Sequence, residues 1–485
     1  MENSGLVSFL ARLIGCTEPA LTLLISLLLG YPIAFFHRKY LYGKAPNLQH
    51  IYFIVCGLGL CYFNYGWDTL HSVAAVSITY GVLKVFGGNL TSLLIVFTYT
   101  MLHLLIGYWA TATATYDIKW TMPQCVLTLR LIGLAFNVYD GQQPEEKLSS
   151  DNKSVALRTV PSVLEVFGHS YFPSSFLVGP QLPLKRYHDF VELKLEKKEN
   201  PKELPDTIVA GRNRLCLGIM YLSIYQLGSM YLSDDYITSE EYSCLSMWKK
   251  VLFFGIWGRV NLYKYISCWL ITEGSCIIMG LTYNGVDENG KAKWDGCSNV
   301  KLSVFETSTR MNHYIESFNI NTNQWVAQYI YKRLKFLNNK SYSYLGTLLF
   351  LAVWHGLHSG YYVTFFFEFI VITTEKNIMT LAERSDKTME FVQKPLVSCV
   401  LNVFLRMYTF VTMGYAMIPF VLLKYRRYFP VLKQFYFAPH VICISIIALD
   451  PLLKKMVPRS RKEPKPAPSS STEGEKGTVE EKKNE

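Results

Sequence analysis

The sequence predicts an all-α protein that crosses a membrane many times, and three observations carry that reading. Half of the 485 residues are hydrophobic. Charged residues make up only 18%, against roughly 25% in soluble domains. The charges are also bunched, at 37–49, 145–158, 185–214, 287–301, 332–340 and 454–485, with apolar stretches between them. A helix that spans the hydrocarbon core needs about 20 mostly apolar residues, and polar loops must join one span to the next. The alternation meets both needs. A soluble chain of this length would split into roughly two to four domains. Here residues 1–456 read instead as one membrane domain, and 457–485 as a disordered cytosolic tail.

Residues 20–36 form the first expected span, stopped by His37-Arg38-Lys39. The chain before it lacks a basic n-region and a small-residue cleavage site, so this span is expected to be an uncleaved anchor. Residues 51–63, 70–86 and 93–110 follow. The run 126–136 is shorter and carries Arg130, which is expected to face protein rather than lipid. After a polar segment at 140–158, residues 162–177 are amphipathic and end in Gly179-Pro180. That pattern suits a segment lying along the interface or re-entering the bilayer.

Residues 185–214 are strongly charged and read as a cytosolic loop. The runs 215–232 and 251–281 come next, the second long enough for two tilted helices or one broken helix. Residues 284–301 are polar and contain glycine. An apolar run then starts at 344 and continues past His355 to Thr373, and 397–423 and 435–453 close the membrane part. The total is roughly nine to eleven spans. No internal repeat is visible, which argues against an inverted-repeat transporter.

The net charge of +11 does not imply nucleic acid. The basic residues form no single stripe and lie beside apolar runs, where lysine and arginine mark cytoplasmic membrane edges. The eleven cysteines form no CxxC pair and no metal-ligand spacing, and read as small buried hydrophobes in a reduced setting. The tail is rich in Lys, Glu, Pro and Ser and cannot bury a core. It ends Lys482-Lys483-Asn484-Glu485. Lysines third and fourth from the terminus match a dilysine retrieval signal, which implies a cytosolic C-terminus and residence in the endoplasmic reticulum membrane.

Ionisable groups inside apolar spans are costly and are functional candidates by default. His355 lies in the middle of such a run. Its reference pKa near 6.5 leaves the imidazole mostly neutral in the cytosol and able to act as a general base. The competing reading is a core histidine bonded to a neighbouring backbone carbonyl. His358 is three residues on and shares a helix face with His355 if the segment is helical. No third ligand accompanies the pair, so His358 reads as a supporting residue and no metal site is expected. Upstream, Asn319, Asn321 and Asn323 precede Trp325. Asparagine can donate to a developing oxyanion or fix a histidine, or it can cap a helix. Asn319 lies 36 positions before His355 (355 − 319), so the two can meet only through tertiary packing. No His-x4-Asp, Gly-x-Ser-x-Gly, Walker or GxGxxG motif is present, which leaves hydrolase, ATP-driven and dinucleotide chemistry without an anchor.

With Asn319 upstream of Trp354-His355-Gly356 in a hydrophobic segment, the chain resembles the membrane-bound O-acyltransferase family. The resemblance extends to its lysophospholipid acyltransferase branch. It runs through Tyr116-Asp117-Ile118-Lys119-Trp120-Thr121-Met122-Pro123, Phe176-Leu177-Val178-Gly179-Pro180-Gln181 and Tyr263-Lys264-Tyr265. It continues through Lys293-Trp294-Asp295 with Asn299, Phe305-Glu306-Thr307, and 319–362. It implies a helical bundle around a buried reaction chamber.

The implied reaction is acyl transfer from a long-chain, polyunsaturated acyl-CoA to the sn-2 hydroxyl of a lysophospholipid. The implied acceptor is chiefly lysophosphatidylcholine, with the ethanolamine and serine lysolipids as further acceptors. His355 would be the base and Asn319 would position a reacting group or stabilise charge. The transfer would be direct, with no bound cofactor and with acyl-CoA as co-substrate. Lys332, Arg333 and Lys335 would face the CoA phosphates, or merely flank a positive-inside loop. Trp294, Asp295, Asn299, Glu306, Asn323 and Trp354 are further candidates for substrate contact, though Asp295 and Glu306 also suit structural hydrogen bonding. A homodimer follows by analogy. The alternatives are a sibling acyltransferase with another lipid or protein acceptor, and a membrane transporter.

Overall fold

Apolar runs become helices because a chain in a bilayer must satisfy its own backbone polar groups. The computed structural model describes residues 5–113, 118–195 and 207–457. The first half holds α1 (Leu6–Ile14), α2 (Glu18–Phe36), α3 (Pro46–Tyr65), α4 (Thr69–Phe86), α5 (Leu90–Ala110) and α6 (Thr121–Gly141). Three short helices follow: α7 (Ser150–Val155), α8 (Val163–Ser170) and α9 (Leu184–Val191). Then come α10 (Thr207–Tyr231), α11 (Asp234–Ile237), α12 (Glu240–Ser243) and α13 (Met247–Met279), followed by α14 (Leu302–Glu306), α15 (Met311–Ser317) and α16 (Ile320–Val326). The last part holds α17 (Lys340–His355), α18 (Ser359–Ala382), α19 (Asp386–Gln393), α20 (Pro395–Leu422), α21 (Tyr425–Lys433) and α22 (Ala438–Met456). Among the described residues the only β pairing is two isolated bridges, Val286 with Ala292 and Val300 with Phe318.

Local chemistry sets the helix ends. Asn89 caps α5 by accepting from the Ser92 backbone N–H at 2.8 Å, and Asn339 caps α17 by accepting from the Ser341 N–H at 2.9 Å. At α8, Ser162 and Glu165 form a reciprocal capping box.

The helices enclose two apolar cores. One gathers α2 to α6, α8 and α9 with parts of α16 and α17; the other gathers α10, α14, α15, α18, α20 and α21. α13 serves both, with Trp257, Leu262 and Ile266 in the second core and Ile271, Cys276 and Met279 in the first. Its 33 residues make a rod roughly 50 Å long. Where α13 crosses α20 the backbones nearly touch. A Cβ on Gly258 would lie 2.7 Å from Gly414 Cα, and one on Gly414 would lie 2.8 Å from the Phe254 carbonyl oxygen. Small residues permit such crossings between membrane helices.

Arg130 faces protein, as the sequence suggested. Its guanidinium donates to the carbonyl oxygens of His169 at 2.9 Å, Ser170 at 3.3 Å, Ser175 at 2.7 Å and Pro180 at 3.1 Å. One cation thereby pins the whole turn after α8, whose Tyr171, Phe172, Phe176 and Leu177 are buried.

Among the described residues five helical stretches are long and apolar enough to cross a membrane, or six counting the bent pair α21–α22, and eleven helices reach 16 residues or more. The structure departs from the sequence reading at three places. The run 251–281 belongs to one continuous helix. The charged stretch 185–214 contains α9 and the start of α10, because Leu184, Tyr187, Phe190 and Val191 line one buried face. Finally, the apolar run through His355 is broken after that residue, so His355 ends α17 while His358 is the extended residue before α18, and the two share no helix face.

Candidate active site

Gly356 ends α17. Its backbone sits at φ 137° and ψ −171°, a region that only glycine adopts without strain. The helix therefore stops at His355 and the chain turns into α18. The turn is fastened from both sides. Trp354 Nε1 donates to the Cys125 carbonyl at 3.0 Å, and the Tyr108 hydroxyl donates to the Trp354 carbonyl at 3.2 Å.

The His355 ring is walled by aromatics, with Tyr361, Phe365 and Phe420 ring centres each 5.4 Å away. Among the described residues, neither ring nitrogen has a hydrogen-bond partner. The ring is half-buried and opens on a cavity of about 1360 Å³ that runs between the two cores. A histidine core-bonded to a carbonyl is therefore not what stands here.

Asn319 reaches the same cavity from a different element. It is the residue before α16, held at φ 52° and ψ 43°, a left-handed conformation that asparagine tolerates better than most residues. Its side-chain oxygen accepts from Asn299 Nδ2 at 3.3 Å. Asn323 braces the other side of the turn, its amide donating to the carbonyls of Ile315 at 2.9 Å and Phe318 at 3.0 Å.

The cavity brings together six of the residues singled out in the sequence: His355, Asn319, Asn299, Asn323, Trp354 and His358. It does not include the other six. Trp294 packs on Tyr283, ring centres 5.6 Å apart, and Asp295 accepts from Asn284 at 2.8 Å. Glu306 accepts from the Tyr221 hydroxyl at 2.9 Å and stands 4.0 Å from Arg259.

Lys332 is paired with Asp151 and Arg333 with the fully buried Asp140; Lys335 is exposed. The Lys332 ammonium holds the Asp151 carboxyl below its usual range. Lys482 and Lys483 lie outside the described residues, as do Tyr116 and Asp117.

Sequence reasoning missed several cavity residues, among them Trp269, Glu368 and Phe420. Glu368 carried a usable signal, a single carboxylate in the apolar part of α18. The aromatics carried none, since one ring among 15% aromatic residues does not stand out. Among the described residues no three His, Cys, Asp or Glu side chains converge on a point that could hold a metal.

The cavity sets an imidazole with unengaged nitrogens and a side-chain amide on one mostly apolar lining, groups able to take a proton and to donate to a developing charge. Comparison with known proteins gives the family. Residues 105–418 match the model of the membrane-bound O-acyltransferase family. The chain is 43% identical over 454 residues to Lysophospholipid acyltransferase 5 of Homo sapiens, covering 93% of each chain. It is 45% identical over 440 residues to the protein of that name in Drosophila melanogaster, covering 88% of this chain and 86% of the other. To the Caenorhabditis elegans protein of that name it is 34% identical over 460 residues, covering 94% and 97%.

Proposed function

The chain belongs to the membrane-bound O-acyltransferase family, and on that premise we propose that it acylates lysophospholipids with acyl-CoA as donor. The observation that carries the reading is that His355 and Asn319, from separate elements, line one cavity and that the imidazole nitrogens are unengaged. The shared name of the similar proteins, over nearly the full length of each chain, supports the acceptor class.

In this reading His355 takes the proton of the free sn-2 hydroxyl as its oxygen attacks the thioester carbonyl carbon. The C–O bond forms, the carbonyl electron pair moves onto oxygen, and Asn319 faces that oxygen. The pair then returns, the C–S bond breaks, and the CoA sulfur leaves with the proton that His355 holds. The imidazole ends neutral, ready for the next turnover. Holding both substrates in one cavity supplies a large part of the rate, since well-oriented reactants avoid the entropy of encounter.

The acyl chain is polyunsaturated by preference, and lysophosphatidylcholine is the chief acceptor. The enzyme resides in the endoplasmic reticulum, with CoA arriving from the cytosol and Lys482 and Lys483 in a cytosolic tail that returns it there. Lys335 is the exposed cation of the run 332–335, which supports a contact with CoA phosphates arriving from solution.

The test is a substrate panel. The purified chain in lipid nanodiscs receives arachidonoyl-CoA or oleoyl-CoA with lysophosphatidylcholine, lysophosphatidylethanolamine, lysophosphatidylserine, cholesterol or diacylglycerol. The expected product is phosphatidylcholine whose new chain is released by a phospholipase specific for sn-2. Transfer to cholesterol or diacylglycerol alone would overturn the acceptor class.

A further inference from the structure

The backbone around Asn299 decides which way the Asn319 amide points. The Asn321 backbone N–H donates to Asn299 Oδ1 at 3.0 Å. A peptide nitrogen can only donate, so the Asn299 atom it meets is the oxygen. Asn321 Nδ2 donates to the same oxygen at 3.1 Å. That nitrogen is identified in turn by the carbonyl oxygens of Cys297 and Ser298, each 3.2 Å from it. The other end of the Asn299 amide is therefore its nitrogen. At 3.3 Å this nitrogen meets the Asn319 side chain, and the atom it meets must accept. Asn319 Oδ1 is committed to Asn299, and Asn319 Nδ2 is left over. Among the described residues that nitrogen has no hydrogen-bond partner.

Asn299 is well placed to impose this order. It is 3% exposed, and its carbonyl oxygen accepts from the Ile320 N–H at 3.1 Å. Its main chain and side chain thus grip the start of α16 together. The Asn319 backbone is left-handed and its side chain makes no capping bond to the helix it precedes.

We infer that Asn299 is a positioning residue that orients the Asn319 amide so that a hydrogen-bond donor faces the reaction cavity. This rests on the acyl-transfer reading above. The donor fits the thioester carbonyl oxygen, which gains negative charge as the tetrahedral intermediate forms. An acceptor at the same place would repel it. Two consecutive links, from peptide N–H to Asn299 and from Asn299 to Asn319, turn a side-chain amide of arbitrary orientation into a fixed donor.

The experiment compares wild type, Asn319→Asp, Asn299→Asp and His355→Ala in nanodiscs with oleoyl-CoA and lysophosphatidylcholine. It reads kcat, both KM values and the melting temperature. Aspartate at 319 keeps the size of the side chain and still accepts from Asn299, but turns an oxygen to the cavity. Aspartate at 299 still accepts from Asn321, but sets an oxygen against Asn319 Oδ1 and so reverses the Asn319 amide. Both are expected to lose kcat by about a hundredfold or more, the range for removing one oxyanion donor, with KM values within about threefold of wild type.

Either variant retaining kcat within about tenfold while melting like wild type overturns the inference. If Asn299→Asp melts early, Asn319→Asp decides alone. A wild-type chain that acylates no lysolipid overturns the functional reading and this inference together. An inactive His355→Ala beside an active Asn319→Asp overturns this inference only.

Discussion

Gly356 is what places His355 at the cavity. Any other residue at φ 137° would carry strain of about 1–3 kcal/mol, and relief of that strain would move the imidazole. Gly356→Ala is therefore expected to lower turnover by roughly tenfold or more, with a smaller effect on the melting temperature; unchanged kinetics would show that the helix end does not set the ring. Arg333 makes the opposite case. Its partner Asp140 is fully buried, so Arg333→Ala leaves an unpaired buried carboxylate at a cost of about 3 kcal/mol. A thermal melt should show a clear fall for Arg333→Ala and almost none for Lys335→Ala.

The sequence made His355 and Asn319 legible because each breaks a local rule: a polar group in an apolar run, and three asparagines in five positions. It did not make Arg333 legible. The carboxylate that occupies it lies 193 positions away, and only packing brings them together. Asn299 was visible as a residue and invisible in its role, because the role consists of which atom of an amide faces which neighbour.

Helix contacts at the scale of whole elements follow from small residues and caps. Gly414→Leu would drive a side chain into the Phe254 carbonyl and force α13 and α20 apart. A melting temperature lower by roughly 5 °C or more is expected, and a wild-type melt would mean that the crossing is loose. At α8, Ser162→Ala removes one half of the capping box and should cost about 1 kcal/mol, read as faster amide exchange over 163–170.

The same cap gives a pH dependence. Partial burial works against the Glu165 charge, but the hydrogen bonds from Ser162 outweigh it and hold the carboxyl below its usual 4.5. A carboxylate with a lowered folded pKa stabilises above its unfolded value and loses that contribution as pH falls through the folded one. Protection of α8 should accordingly be constant above pH 4.5 and decline below it, and the decline should be smaller in Ser162→Ala. The capping box could have been read from Ser162 and Glu165 alone. The break between α17 and α18 could not, because the periodicity of apolar residues continues across Gly356.

For the molecule as a whole, hydropathy gave the class and overstated how plainly each span would show itself. Five stretches satisfy length and apolarity, while helices such as α10 and α13 hold Arg214 and Glu273 against each other at 3.2 Å and hide that polarity inside the bundle. Interior helices of a bundle are selected by one another, so their sequences do not need to look like lipid-facing ones. The cavity between the two cores has no counterpart in any local pattern, since its walls come from elements spread from α1 to α21. The proposed address in the tail has its own test at this scale. Changing Lys482 and Lys483 to alanine should shift the protein from the endoplasmic reticulum toward the Golgi in fixed cells, and an unchanged distribution would refute the signal.

The central claim is that His355 drives acyl transfer from acyl-CoA to a lysophospholipid inside this cavity. It is tested most directly by a single-turnover reaction of labelled arachidonoyl-CoA with excess lysophosphatidylcholine, run on wild type and on His355→Ala matched for melting temperature. The expected result is labelled phosphatidylcholine from wild type and a rate lower by about a hundredfold or more in the variant. Equal rates in the two proteins would contradict it.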